Sequence, residues 1–279
     1  MSLVPYKGVE IFNEDGTFKK EDDKVQGRSY SSNLTKLLKQ LPKLQNLQEG
    51  KKASPVMAHI SLTNSCNLTC SFCCFANRDI SEKMPTEKVF QALESFKAIG
   101  VTGVEFTGGG EPSIHPDFKA IVNYAKDLGF SLGICTNAAR FGKDRQIKKD
   151  IVELFDWVRM GMYGFYEGYD YDLSVFEGTN CKPSAAYVWD ENLETSENPN
   201  ITGEWSDVKN KRVLSKKFQT TENFIRMLDW VEENKIPCRI AFNAIKDVKE
   251  TAKDIETIRG IIEEYEKDRG RKLQSAFLS

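Results

Sequence analysis

Val56-Met-Ala-His-Ile-Ser-Leu-Thr-Asn-Ser-Cys66-Asn-Leu-Thr-Cys70-Ser-Phe-Cys73 is the stretch from which the chain can be read. Residues 56–62 are apolar and β-prone and read as a strand. A loop with the spacing Cys-x3-Cys-x2-Cys leaves the strand's C-terminal end. Thiolate sulfur is the soft, charged donor that iron–sulfur clusters require. Three such thiolates can hold three corners of a four-iron cube, leaving one iron without a local protein ligand and open to chemistry. Zinc is the competing reading. A structural zinc closes with four ligands, and neither His59 nor His115, the only two histidines, offers an obvious fourth.

Downstream the pattern repeats as strand, helix, strand, helix. Helices are expected over 86–99, 116–128, 145–155, 221–234 and 249–267, and strands over 101–106, 130–135, 157–162 and 237–243. Residues 273–278 could begin a sixth strand. Gly100 is placed as the stop of the first of these helices. Repeated βα units with short apolar strands imply a parallel sheet, because each right-handed crossover returns the chain beside the strand it left. Ligands gather at the C-terminal strand ends of such sheets. The cysteine loop, the run Thr107-Gly-Gly-Gly-Glu-Pro112, the turn Thr136-Asn-Ala138 and the loop after the fourth strand all fall on that edge.

The flanks are less regular. Residues 1–30 are charged and aperiodic and read as an arm. Leu34, Leu37, Leu38, Leu41, Leu44 and Leu47 fall at helical spacing, interrupted by Pro42. Two short amphipathic helices that dock their stripe on the main domain are expected there. Residues 164–217 open with aromatics and continue acidic and Asn-rich, too long for a structureless loop in a compact domain. They are read as an insertion, either a lid or substrate-contacting segment or a variable surface addition. The resulting division is an arm and helical extension over 1–55 and a catalytic-type domain over 56–279.

Composition narrows the class. With a formal charge of -2 over 279 residues and a pI near 5.9, no global basic field draws the chain onto nucleic acid or acidic membranes. No apolar run is long enough to span a bilayer, and residues 1–27 are too polar for a secretory signal. No membrane partner and a cytoplasmic location are therefore expected. Seven cysteines, an odd number with three packed into eight residues, fit metal-bound thiolates in a reducing compartment better than disulfides. Cys74 is expected to point away as a spare thiol. Cys135, Cys181 and Cys238 read as small buried residues.

The glycine run adds a second signal. Consecutive glycines let the backbone approach a ligand closely and offer N–H and C=O groups, and Glu111 adds an acceptor suited to an ammonium. Together the two motifs resemble those of the radical SAM superfamily, over about residues 56–243. The resemblance is to the broad branch that includes peptide-modifying and molybdopterin-type enzymes. It implies an α/β fold, a partial parallel (βα)6-type TIM-like barrel with an N-terminal helical extension, abbreviated or incomplete after Ser279.

It further implies that Cys66, Cys70 and Cys73 ligate a 4Fe-4S cluster whose open iron is chelated by S-adenosylmethionine. Phe72 matches the position that packs near the adenine. Gly108, Gly109, Gly110, Glu111 and Pro112 match the loop that receives the methionine ammonium. Asn137 and Asn243 resemble polar cofactor-side residues. Gly161 and Tyr163 stand where many relatives carry a serine and an acidic residue. The implied chemistry is reductive cleavage of the sulfonium to a 5′-deoxyadenosyl radical that abstracts hydrogen, with electrons from a flavodoxin- or ferredoxin-like donor. No catalytic side chain is assigned beyond the cofactor shell. The substrate is left open among peptide, nucleotide and small molecule. A catalytically silent or fragmentary fold of this kind and a metal-stapled (zinc or iron–sulfur) binding module are the alternatives.

Overall fold

Alternation along the strands gives the sheet one apolar face and one polar face, and the fold follows from covering the first. The computed structural model describes residues 40–70, 73–75, 77–162, 171–189, 213–214, 221–242 and 248–278. Its strands are β1 (Met57–Ser61), β2 (Leu68–Thr69), β3 (Gly103–Thr107), β4 (Ser131–Thr136), β5 (Trp157–Gly161), β6 (Lys182–Trp189), β7 (Val213–Leu214), β8 (Cys238–Phe242) and β9 (Ala276–Leu278). The helices are α1 (Leu41–Gln48), α2 (Thr86–Ala98), α3 (Phe118–Asp127), α4 (Lys149–Val152), α5 (Thr221–Glu233) and α6 (Val248–Arg269).

Seven strands form one sheet in the order β1-β3-β4-β5-β6-β8-β9, and every neighbouring pair is parallel. This is the expected α/β partial barrel. Ile60, Val104, Phe106, Leu132, Ile134, Val158 and Met160 are buried on the outer face beneath the helices. Phe106, Phe118 and Phe155 form a ring cluster there, with centroids 6.2 to 6.4 Å apart. On the inner face His59, Glu105, Cys135, Arg159 and Arg239 stay partly or fully exposed, so the concave side is polar and open.

The main difference from the sequence reading lies in the segment treated as an insertion, 164–217. It contains β6, which pairs with both β5 and β8 in the middle of the sheet. The strand predicted over 237–243 is therefore the sixth in the sheet, and β9 extends it to seven. Tyr187 and Trp189 pack on Phe224 of α5, each with centroids 5.3 Å apart. The aromatic lead-in, Asn-rich continuation and length masked a strand whose partners are remote in sequence. The two-residue strands β2 and β7 also pair, tying the cysteine loop to the same segment.

Smaller differences have local causes. The helix expected over 145–155 shrinks to α4, because Gly142 N–H donates to Ile147 O and Ile147 N–H to Arg140 O, closing a loop over the first part of that range. In α1, Pro42 sits in the first turn, where its missing N–H costs nothing; the first of the two short helices expected here lies outside the described residues. The apolar stripe of α1 is not docked: none of its residues is buried. The helix is held by Lys43 Nζ, which donates to Pro55 O at 3.0 Å and Gly100 O at 3.2 Å. Gly100 does stop α2, with φ of 84°. Leu34, Leu37 and Leu38 lie outside the described residues, and among the described helices none is long and apolar enough to cross a membrane.

Because β6 is central, excising residues 164–217 as if they were a dispensable loop is expected to abolish the cooperative thermal transition. Circular dichroism melting checks this; a sharp transition in the shortened chain would contradict the sheet order.

Candidate functional site

The cysteine loop and the glycine loop leave adjacent parallel strands, β1 and β3, and lock onto each other through backbone groups. Gly109 N–H donates to Ser61 Oγ at 3.0 Å, Gly110 N–H to Thr63 O at 2.9 Å and Glu111 N–H to Ser65 O at 2.8 Å. No side chain fits between the loops. A Cβ on Gly110 would overlap the Ser65 carbonyl oxygen, and one on Gly108, which also has φ of +125°, would overlap Ser61. The amides of Gly109, Gly110 and Glu111, which the sequence suggested for a ligand, are thus spent on joining the two loops.

Glu111 carries the same joint into β4. It is only 3% exposed, and burying a carboxylate requires compensating donors. Oε1 accepts from Ser113 N–H (3.1 Å), Ser113 Oγ (2.7 Å) and Thr136 Oγ1 (2.6 Å), and Oε2 from Asn137 N–H (2.8 Å). Asn137 continues the chain of bonds: its Nδ2 donates to Asn67 Oδ1 at 2.7 Å and lies 3.9 Å from Cys66 Sγ. Pro112 begins a buried 3-10 turn, Pro112–Ile114, behind this carboxylate.

These elements border one cavity of about 440 Å³. Cys66, Cys70 and Cys73 line it together with Gly108, Gly109, Gly110, Glu111 and Asn137. Arg78 fastens the cysteine loop: its Nε donates to Asn64 O at 2.6 Å, and its Nη1 to Phe75 O and, at 3.5 Å, toward Cys73 Sγ. Leu68 N–H points at Cys66 Sγ at 3.4 Å. Burial pushes the Cys66 thiol up, against the Leu68 amide, which pulls it down. Phe72, Tyr163 and Asn243 lie outside the described residues.

Three thiols on one wall of a cavity, two of them with N–H groups directed at sulfur, suit an iron–sulfur cluster. Among the described residues no group of three or more His, Cys, Asp or Glu side chains is gathered to hold a single ion. His115 is buried and structural, with Nε2 on Met84 O at 2.9 Å and Nδ1 accepting from Asp117 N–H. His59 faces Glu105 at 3.5 Å.

Two cysteines differ from their expected places. Cys74 lines the cavity and is exposed, and Cys135, read as a small buried residue, lines it too. Its thiol donates to Glu105 Oε1 at 3.2 Å. The strand alternation that turns Cys135 inward was a usable signal. Cys181 and Cys238 are buried, as expected.

Gly110→Ala is expected to push the two loops apart, lowering stability by roughly 1–3 kcal/mol and reducing the iron retained after anaerobic reconstitution; unchanged melting and iron content would refute the close approach. For Cys135, burial foremost, with the Glu105 charge beside it, pushes the thiol up to about 12. Only the thiolate is nucleophilic, so raising pH from 7 to 9 leaves it protonated. Peptide mapping after iodoacetamide should show Cys135 alkylated at least about tenfold more slowly than Cys74 throughout that range.

Residues 60–169 match the model of the Radical SAM superfamily. Over 98 residues the chain is 33% identical to a protein of Selenomonas ruminantium named S-adenosylmethionine-dependent nucleotide dehydratase, covering 35% of each. Over 199 residues it is 28% identical to the Fe-coproporphyrin III synthase of Methanosarcina barkeri, covering 70% of this chain and 45% of that one. The crystal structure of Streptococcus suis SuiB bound to S-adenosylmethionine superposes with a TM-score of 0.51 at 19% identity, over 90% of this chain and 57% of SuiB. The chain thus spans less than half the length of these two curated relatives. Residues 60–169 thus match a radical SAM domain, of a superfamily whose members use a 4Fe-4S cluster and S-adenosylmethionine.

Proposed function

We propose that this chain is a radical SAM enzyme whose cavity at the C-terminal strand edge holds the cluster and S-adenosylmethionine. The observation that supports this most is the lining of one cavity by Cys66, Cys70, Cys73 and the Gly108–Glu111 loop. When bound, these groups supply one-electron cleavage of the sulfonium and the 5′-deoxyadenosyl radical that removes hydrogen from a substrate. The reducing electron comes from a flavodoxin- or ferredoxin-class donor.

The chain's own residues hold and orient. Cys66, Cys70 and Cys73 would ligate three irons, with the Arg78 guanidinium and the Leu68 amide offsetting thiolate charge. The methionine ammonium needs acceptors. Only oxygens can accept from it, so the loop's carbonyl groups and the second lone pair of Glu111 Oε2 are the candidates, an ionised carboxylate offering about four acceptor sites. Asn137 would border the cluster at Cys66, and Phe72 and Asn243 are assigned to the adenosine side. Leu68, Phe75, Val188 and Ala241 supply apolar lining that limits water at a radical site. The named relatives act on different molecules, so their names do not choose a substrate.

Anaerobic reconstitution is expected to give about four iron and four sulfide per chain, with 5′-deoxyadenosine and methionine formed on reduction. Cys66→Ala, Cys70→Ala and Cys73→Ala should each lose the cluster, whereas Cys74→Ser should keep it. Glu111→Gln, which sets an amide donor against the Thr136 or Asn137 donors, should weaken S-adenosylmethionine binding about tenfold or more while iron is retained. Tight zinc binding with Cys74 required would replace this reading by a metal-stapled module.

A further inference from the structure

The wall of the cavity remote from the cysteines carries two guanidinium groups that the assignments above leave unused. Arg159 on β5 and Arg239 on β8 both line it, three and five places along the sheet from β1. The register places Gly161 opposite Ala186 and Ala186 opposite Arg239. Arg239 is thus in line with Gly161 across β6, and Arg159 is one inward-facing position earlier on the strand of Gly161. With strands about 4.8 Å apart, two spacings separate the β5 and β8 backbones by roughly 10 Å. Gly161, Ala186 and Ala241 contribute almost no side-chain volume between them, so the floor flanked by the guanidiniums is open.

Among the described residues the charges around this floor are unequal. Of the other charged side chains described at the cavity, the Glu111 carboxylate is bonded to Ser113, Thr136 and Asn137, and Arg78 is bonded to loop carbonyls. Glu105 lies on β3, two strands from β5, where it accepts from Cys135 and faces His59. Among the described residues no acidic side chain forms an ion pair with Arg159. Its guanidinium instead lies over the Trp157 ring, 5.5 Å from the centroid, a placement that steadies a long side chain and leaves its planar edge of N–H donors for a ligand. Arg239 is exposed at the cavity and has an interaction of its own, so the unmatched charge of the pair is that of Arg159, with Arg239 as the second arm. A guanidinium fork in a partly enclosed, apolar-floored space matches the paired oxygens of a phosphate or carboxylate.

We propose that Arg159 and Arg239 anchor an oxyanion group of the substrate, phosphate or carboxylate, on the wall away from the cysteines. This rests on the reading of the cavity as a radical SAM site and adds the chemical class of what is modified. The anchor turns an anionic substrate so that its remainder lies toward the cysteine side, where hydrogen would be abstracted. Gly161 gives the group room that a serine side chain would occupy.

The test titrates the full-length, anaerobically reconstituted chain with inorganic tripolyphosphate and, separately, glutarate, in isothermal calorimetry at fixed ionic strength. One of the two anions should bind, and which one distinguishes a phosphate from a carboxylate source. Arg159→Met and Arg239→Met should each weaken that binding about tenfold or more, and Arg159→Lys should recover part of the loss. Iron content and S-adenosylmethionine affinity should stay within about twofold of wild type. Absence of binding by both anions overturns the proposal, as does binding indifferent to both arginines. A parallel loss of S-adenosylmethionine affinity also overturns it, by placing the guanidiniums on the methionine carboxylate. Should Arg159→Met fail to fold, the exposed Arg239→Met carries the same comparison. Failure of the radical SAM reading is seen separately, as wild-type protein that assembles no cluster and binds no S-adenosylmethionine.

Discussion

The site depends on the burial of one carboxylate at the junction of three strands. Glu111 leaves β3, yet its oxygens are bonded to Ser113 in its own turn and to Thr136 and Asn137 at the end of β4. Hydrogen bonds to a charged group contribute on the order of 1.5–3 kcal/mol each, and an orphaned buried donor costs a similar amount. The carboxylate and its four donors therefore hold one another in a single arrangement. Through Asn137 the same network reaches Asn67 and Cys66, so the cysteine loop is braced from β4 as well as from its own strand.

A second constraint is steric. The loops after β1 and β3 approach so closely that the glycine loop can present only backbone, with Gly110 against the Ser65 carbonyl and Gly108 against the Ser61 side chain. Parallel pairing of Met57–Ser61 with Gly103–Thr107 brings the two motifs side by side despite the forty-odd residues between them. The glycines are thus explained first by loop-on-loop packing. Any ligand is met by what that packing leaves over, the carbonyl groups and part of the Glu111 carboxylate.

The two faces of the sheet divide the work. Apolar residues on the outer face are sealed by helices and by ring clusters such as Phe106, Phe118 and Phe155. The inner face keeps His59, Glu105, Cys135, Arg159 and Arg239 open, a polar surface beneath the cavity that core packing does not require. The cysteines lie after the first strand of the sheet and the arginines on its fourth and sixth, so thiols and guanidiniums border separate parts of one cavity.

By itself the sequence determined the local features: the parallel α/β class, the strands whose apolar runs are short and clearly bounded, and the three cysteines and glycine loop at their ends. Periodicity and motif spacing act over a few residues, and a linear reading carries them. Tertiary structure alone decided that β6 lies in the middle of the sheet, because its apolar partners, Phe224 of α5 and the β8 residues, lie tens of residues away and its flanks are polar. It also decided that Glu111 is a buried hub, that the glycine amides are already engaged, and that Cys135, Arg159 and Arg239 share the cavity with the cysteines. Those facts depend on which face each strand turns inward and which strands become neighbours, and register across a parallel sheet is fixed by packing between segments remote in sequence.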